Sequence, residues 1–138
     1  MNTEVKKDQK LIGTNLYKVI KSVIEESIPI KWNQYELSTI TLATMYSFIQ
    51  MMDGEQNLTL TEIYRLVATE EICTASTVQN RITKVRTKFV NHPISKMFLH
   101  IMNIHQGRIS TEGFIDMLMY LLSGNKDSIL KEVAQMSE

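Results

Sequence analysis

At three points along the chain, just ahead of an apolar run, a residue able to cap a helix is followed three positions later by Glu or Gln. The pairs are Asn33 with Glu36, Thr59 with Glu62, and Ser76 with Gln79. In such a pair the first side chain accepts from the backbone N–H three residues on. The acid or amide reaches back to the N–H of the capping residue. Each pair therefore marks a helix start, and an apolar run at helical spacing follows each one. After Asn33, Leu37, Ile40, Thr41, Ala43, Met45, Phe48, Ile49 and Met52 cover most of the circumference, so this helix is expected at the centre of the fold. After Thr59, Ile63, Leu66 and Val67 point inward while Glu62 and Arg65 point outward. After Ser76, Val78, Ile82, Val85 and Phe89 recur on one face.

The remaining segments complete a mainly α chain. Leu11 to Ser27 reads as a helix, with Leu11, Leu16, Val19, Ile20, Val23 and Ile24 at helical spacing and Pro29 as its stop. Ala68 to Ala75 reads as a polar connector from which Ile72 plugs into the core. Thr111 to Leu122 forms an apolar helix, and Ser128 to Met136 a short last one. Residues 91–110 fit two patterns. Ile94, Met97, Phe98, Ile101 and Met102 suit a helix, whereas Pro93 and Gly107 bracket a pair of strands turning at His105–Gly107; the hairpin is the favoured reading. Five Gly and two Pro in 138 residues are too few turn formers for an all-β fold, and the length suits one domain with a flexible tail at 1–10.

Charge is distributed unevenly in a chain whose net charge is zero. Ile72 to Thr111 contains no Asp or Glu and carries Arg81, Lys84, Arg86, Lys88, Lys96 and Arg108; the rest holds nine cations and fifteen acids. A basic pole of this kind favours an anionic partner. Two short helices in tandem, the second basic, make a helix-turn-helix at residues 59–90. In that device the second helix enters the major groove, which is wide enough for it and presents a distinct donor and acceptor pattern for each base pair. Thr77, Asn80, Arg81, Lys84 and Lys88 oppose the apolar face. Asn80 suits adenine and Arg81 guanine, while Lys84, Arg86 and Lys88 suit phosphates. Thr74, Ser76 and Thr77 place hydroxyls and backbone N–H groups at the helix start, where a phosphate can sit.

These residues resemble the winged helix-turn-helix regulators of the multiple-antibiotic-resistance (MarR) kind. Leu60 to Val67 resembles the supporting helix of that family, Ser76 to Val85 its recognition helix, and Gly107 to Phe114 its closing wing strand. The resemblance implies a small β-hairpin wing at 91–110 and flanking N- and C-terminal helices, at 111–138 for the latter, that build a homodimer. It implies that Thr77, Gln79, Asn80, Arg81 and Lys84 face the major groove and that Arg108 reaches the minor groove. An effector pocket near Trp32 and Tyr35 is a further family feature, against which plain core packing is the simpler expectation for those two residues.

Other chemistries find little support. His92, His100 and His105 lack metal-ligand spacing, so no metal or other cofactor is expected. The single Cys, Cys73, excludes an internal disulfide and fits a reducing cytoplasm. No grouping of nucleophile, base and acid stands out, so an enzyme is not expected. The N-terminal ten residues lack the apolar core of a signal peptide, and no apolar stretch is long enough to span a bilayer. The expected function is a sequence-specific transcription regulator that binds an inverted repeat in double-stranded DNA as a dimer. The alternative is an interaction adaptor that grips a protein partner such as RNA polymerase or another regulator.

Overall fold

The computed structural model describes residues 11–53, 58–101 and 109–124. Within them the chain forms six helices: α1 (Asn15–Ser27), α2 (Gln34–Asp53), α3 (Leu60–Glu71), α4 (Ala75–Asn91), α5 (Ile94–Ile101) and α6 (Thr111–Ser123). No strand occurs among the described residues. The tail at 1–10, the turn at 54–57, residues 102–108 with His105 and Arg108, and the expected last helix at 128–136 lie outside them.

Local capping chemistry sets most helix starts. Asn33 Oδ1 accepts from Glu36 N while Glu36 Oε1 accepts from Asn33 N. Thr59 and Glu62 close the second box in the same way. Thr14 and Ser110 cap α1 and α6 through the N–H of Tyr17 and Gly113. The third expected box is corrected: Thr74, two residues before Ser76, caps α4 by accepting from Thr77 N. Ser76 is therefore helical and outward-facing.

α2 is the central helix, as its all-round apolar pattern predicts. Thr39 to Met45 are buried without a break, and α2 packs against α1, α3, α4 and α6. Its threonines lie in that interior, with Thr44 donating to Ile40 O and Thr39 to Glu71. α1 and α6 lie against each other and against α2, which engages the α1 stripe of Leu16, Tyr17, Ile20, Val23 and Ile24 inside the chain.

The expected β-hairpin wing is overturned by α5. Pro93 stands immediately before the helix, where its fixed φ suits a helix entry and its missing N–H costs nothing. His92 Nδ1 accepts from Ile94 N, and Ser95 donates to Val90 O and His92 O, which folds the chain into a helical turn. Ser95, Phe98 and Leu99 are then buried together, a 3.6-residue pattern. Phe98 meets Phe89 of α4, and Phe89 also meets Phe114 of α6, with ring centroids 5.9 and 5.2 Å apart. Three helices thus share one aromatic centre.

The connector expected at Ala68–Ala75 is also corrected. α3 continues to Glu71, so only Ile72, Cys73 and Thr74 join it to α4. Ile72 takes a left-handed conformation (φ 54°) and is 81% exposed; it is a tip, and the expected plug into the core is absent. The left-handed conformation costs a branched residue on the order of 1–2 kcal/mol, yet it lets Ile72 N and Cys73 N both close on Ala68 O and turns the chain within three residues.

Candidate nucleic-acid interface

The tandem helices α3 and α4 pack against each other and are joined by a three-residue turn. Val78, Ile82, Val85 and Phe89 are fully buried and fix the rotation of α4 on α2 and α3. Helical periodicity then sets what looks outward. Ser76, Asn80, Thr83, Thr87 and Asn91 are all exposed and form one line opposite the buried stripe. This outer line is wholly polar and carries no charge. Thr83, Thr87 and Asn91 were not among the expected site residues, though they follow from Asn80 by steps of three and four once the helix is known to reach Asn91.

Three of the four cations of α4, Arg81, Arg86 and Lys88, are drawn toward the body. Arg81 is half-buried. Its Nη1 donates to Glu71 Oε1 at 3.3 Å, and its guanidinium lies 5.1 Å from the centre of the Tyr35 ring. Glu71 is held in turn by the Thr39 hydroxyl. Lys88 pairs with Glu36, whose side chain is 5% exposed. Lys84 is exposed, and its charge also acts on Glu36. On the opposite flank Arg86 is half-buried and reaches toward Ile109 O. Thr77 is half-buried, its hydroxyl within hydrogen-bonding distance of that of Thr74. Of the expected contact residues, Thr74, Ser76, Gln79, Asn80, Lys84 and Lys88 are therefore on the surface, Thr77, Arg81 and Arg86 are partly enclosed, and Arg108 lies outside the described residues.

Burial acts to raise the pKa of Glu36, but the Lys88 ammonium, the Asn33 N–H and the charge of Lys84 outweigh it. The carboxyl is held below its ordinary value. A depressed pKa stabilises the folded state above the unfolded value and ceases to do so as pH falls through the folded one. Thermal melts taken from neutral pH to below 4.5 are expected to show a loss of stability that Glu36→Gln removes, leaving a flatter profile at a lower neutral-pH melting temperature. Equal pH profiles for the two proteins would exclude this pair as a source of acid sensitivity.

Beside Arg81 a groove of about 630 Å³ opens between α1, α2, α3 and α4, with Tyr17, Lys21, Trp32 and Tyr35 among its walls. Trp32 packs against the core, whereas Tyr35 is 58% exposed and serves as the platform for Arg81. Cys73 is a half-buried free thiol. Among the described residues no three of His, Cys, Asp and Glu are placed to hold a metal ion, and no helix is long and apolar enough to cross a membrane.

No protein-family model matches this chain, and neither a curated protein nor a solved structure matches it.

Proposed function

We propose that the chain binds double-stranded DNA through α4, laid in the major groove as the second helix of the α3–α4 pair, and acts as a sequence-reading regulator of transcription. The observation that carries this reading is the outward surface of α4, a continuous line of hydroxyl and amide side chains without an acid and with cations on both flanks. Amides and hydroxyls read base edges, and flanking cations meet the phosphates on either side of the groove. Asn80 is the central base-contacting residue. Lys84 is the phosphate-contacting one, and Arg81 positions α4 through Glu71 and Tyr35.

Selection of bound sequences from a random duplex pool, followed by anisotropy titrations, tests the proposal. Binding is expected to weaken with salt at a log–log slope of about −0.9 per phosphate neutralised. Asn80→Ala is expected to cost roughly 1–3 kcal/mol on the selected sequence and little on random duplex, whereas Lys84→Ala weakens both and lowers the slope by about one. An inverted repeat among the selected sequences would report two copies on the site. If neither substitution changes binding, α4 is not the contact surface.

The adaptor reading draws on a different observation, the apolar side chains of Ile72 and Met97, which are 81% and 51% exposed. The absence of any shift with genomic fragments at low salt and micromolar protein would favour it.

A further inference from the structure

Resting on the reading of α4 as a groove-binding helix, we propose that the base pairs it reads are A·T pairs, recognised through adenine amide contacts and thymine methyl contacts. Guanine presents two acceptors in the major groove, and its usual protein partner is a cation, above all a bidentate Arg. Three of the four cations of α4 are engaged away from its outer line, and the fourth, Lys84, lies beside Asn80 as the phosphate contact. Arg81 is engaged by Glu71 and Tyr35, Lys88 by Glu36, and Arg86 points toward Ile109 O. Lys84, on the same flank as Lys88, stands in the field of the Glu36 carboxylate.

What remains outermost has a different chemistry. Asn80 carries an amide, which pairs with adenine through a donor and an acceptor at once. The Thr83 hydroxyl donates to Gln79 O and the Thr87 hydroxyl to Thr83 O, both at 2.9 Å. Each proton is thus turned back into the helix, and guanine acceptors find no donor there. Both residues are exposed, so each offers a partner its methyl group and its oxygen lone pairs, but no proton. A threonine methyl packs against the thymine C5-methyl, a group that no other base of DNA presents in the groove. The two threonines lie one helical turn apart, about 6 Å, on the line that also holds Asn80.

The test uses the full chain and three duplexes of equal length: one of mixed-order A·T pairs, one of mixed-order G·C pairs, and the A·T duplex with uracil replacing every thymine. Uracil removes only the groove-facing methyl. The A·T duplex is expected to bind about tenfold or more tightly than the G·C duplex, with a several-fold loss on the uracil duplex. Thr83→Ser with Thr87→Ser keeps both hydroxyls and deletes both methyls; this variant is expected to bind the thymine and uracil duplexes alike, with helicity by circular dichroism unchanged. Equal binding of the A·T and G·C duplexes by the unmodified chain overturns the inference while leaving duplex binding intact, and so does indifference to uracil. Failure to bind any of the three overturns the parent reading and this one with it.

Discussion

Phe89→Ala is expected to destabilise the chain by about 3–5 kcal/mol, the range for removing a fully buried phenylalanine. Phe89 is 0% exposed and packs its ring against Phe98 and Phe114. Truncation opens a cavity where α4, α5 and α6 meet, and it also removes two tilted aromatic pairs, each worth roughly 0.5–1.5 kcal/mol beyond its buried area. Against a total stability of about 5–15 kcal/mol, this brings the protein close to unfolding at moderate temperature. Urea denaturation followed by circular dichroism measures it, and a loss below about 1.5 kcal/mol would mean that the aromatic centre is not packed as described. Phe89→Leu, which keeps most of the volume, is expected to cost less than half as much.

Glu70→Ala is expected to cost about 3 kcal/mol, the low end of the range for breaking a buried charged contact. Glu70 is 7% exposed, and its carboxylate accepts from Leu11 N, Ile12 N and the Tyr46 hydroxyl. It therefore joins three parts of the fold: the chain preceding α1, the middle of α2 and the C-terminal turn of α3. Burial, together with the hydrogen bond to Glu70 and its charge, raises the Tyr46 pKa above its ordinary value and favours the protonated, donating phenol. The alanine variant strands backbone donors that have no nearby substitute, and each stranded group costs roughly 1–3 kcal/mol. Glu70→Gln keeps the acceptor oxygen and is expected to fall midway. Tyr46→Phe removes one donor and is expected to cost the least, about 1 kcal/mol. Urea midpoints that place Tyr46→Phe below Glu70→Ala would remove Glu70 from the centre of this contact.

The legible parts of the fold were those set within one helical turn. The boxes at Asn33–Glu36 and Thr59–Glu62 formed as written, because both partners lie three residues apart and need no other part of the chain. The inward stripe of α4 was equally plain, since Val78, Ile82, Val85 and Phe89 are all fully buried. Errors arose where two local patterns competed. Pro93 can open a strand or a helix; the bonds from Ile94 and Ser95 back to His92 decided for the helix, and apolar count alone does not distinguish them. Ile72 is apolar, and burial was the natural expectation. Its left-handed backbone arises from the way α3 must turn to bring α4 onto α2, a requirement that no single residue announces.

The candidate interface divides in the same way. That α4 is polar and acid-free on one side follows from residue order and the period of the helix. Which of its cations are available does not. Arg81 meets Glu71 ten positions away, and Lys88 meets Glu36 fifty-two positions away. Those pairings exist only because α2, α3 and α4 pack together, so the sequence by itself determined most of the helices, the caps at Asn33 and Thr59 and the acid-free face, while the tertiary structure decided which cations are tied to acids of other helices and that the arginines turn inward. Capping and periodicity act over a few covalent bonds, whereas an ion pair between distant residues acts only after the core has brought them together.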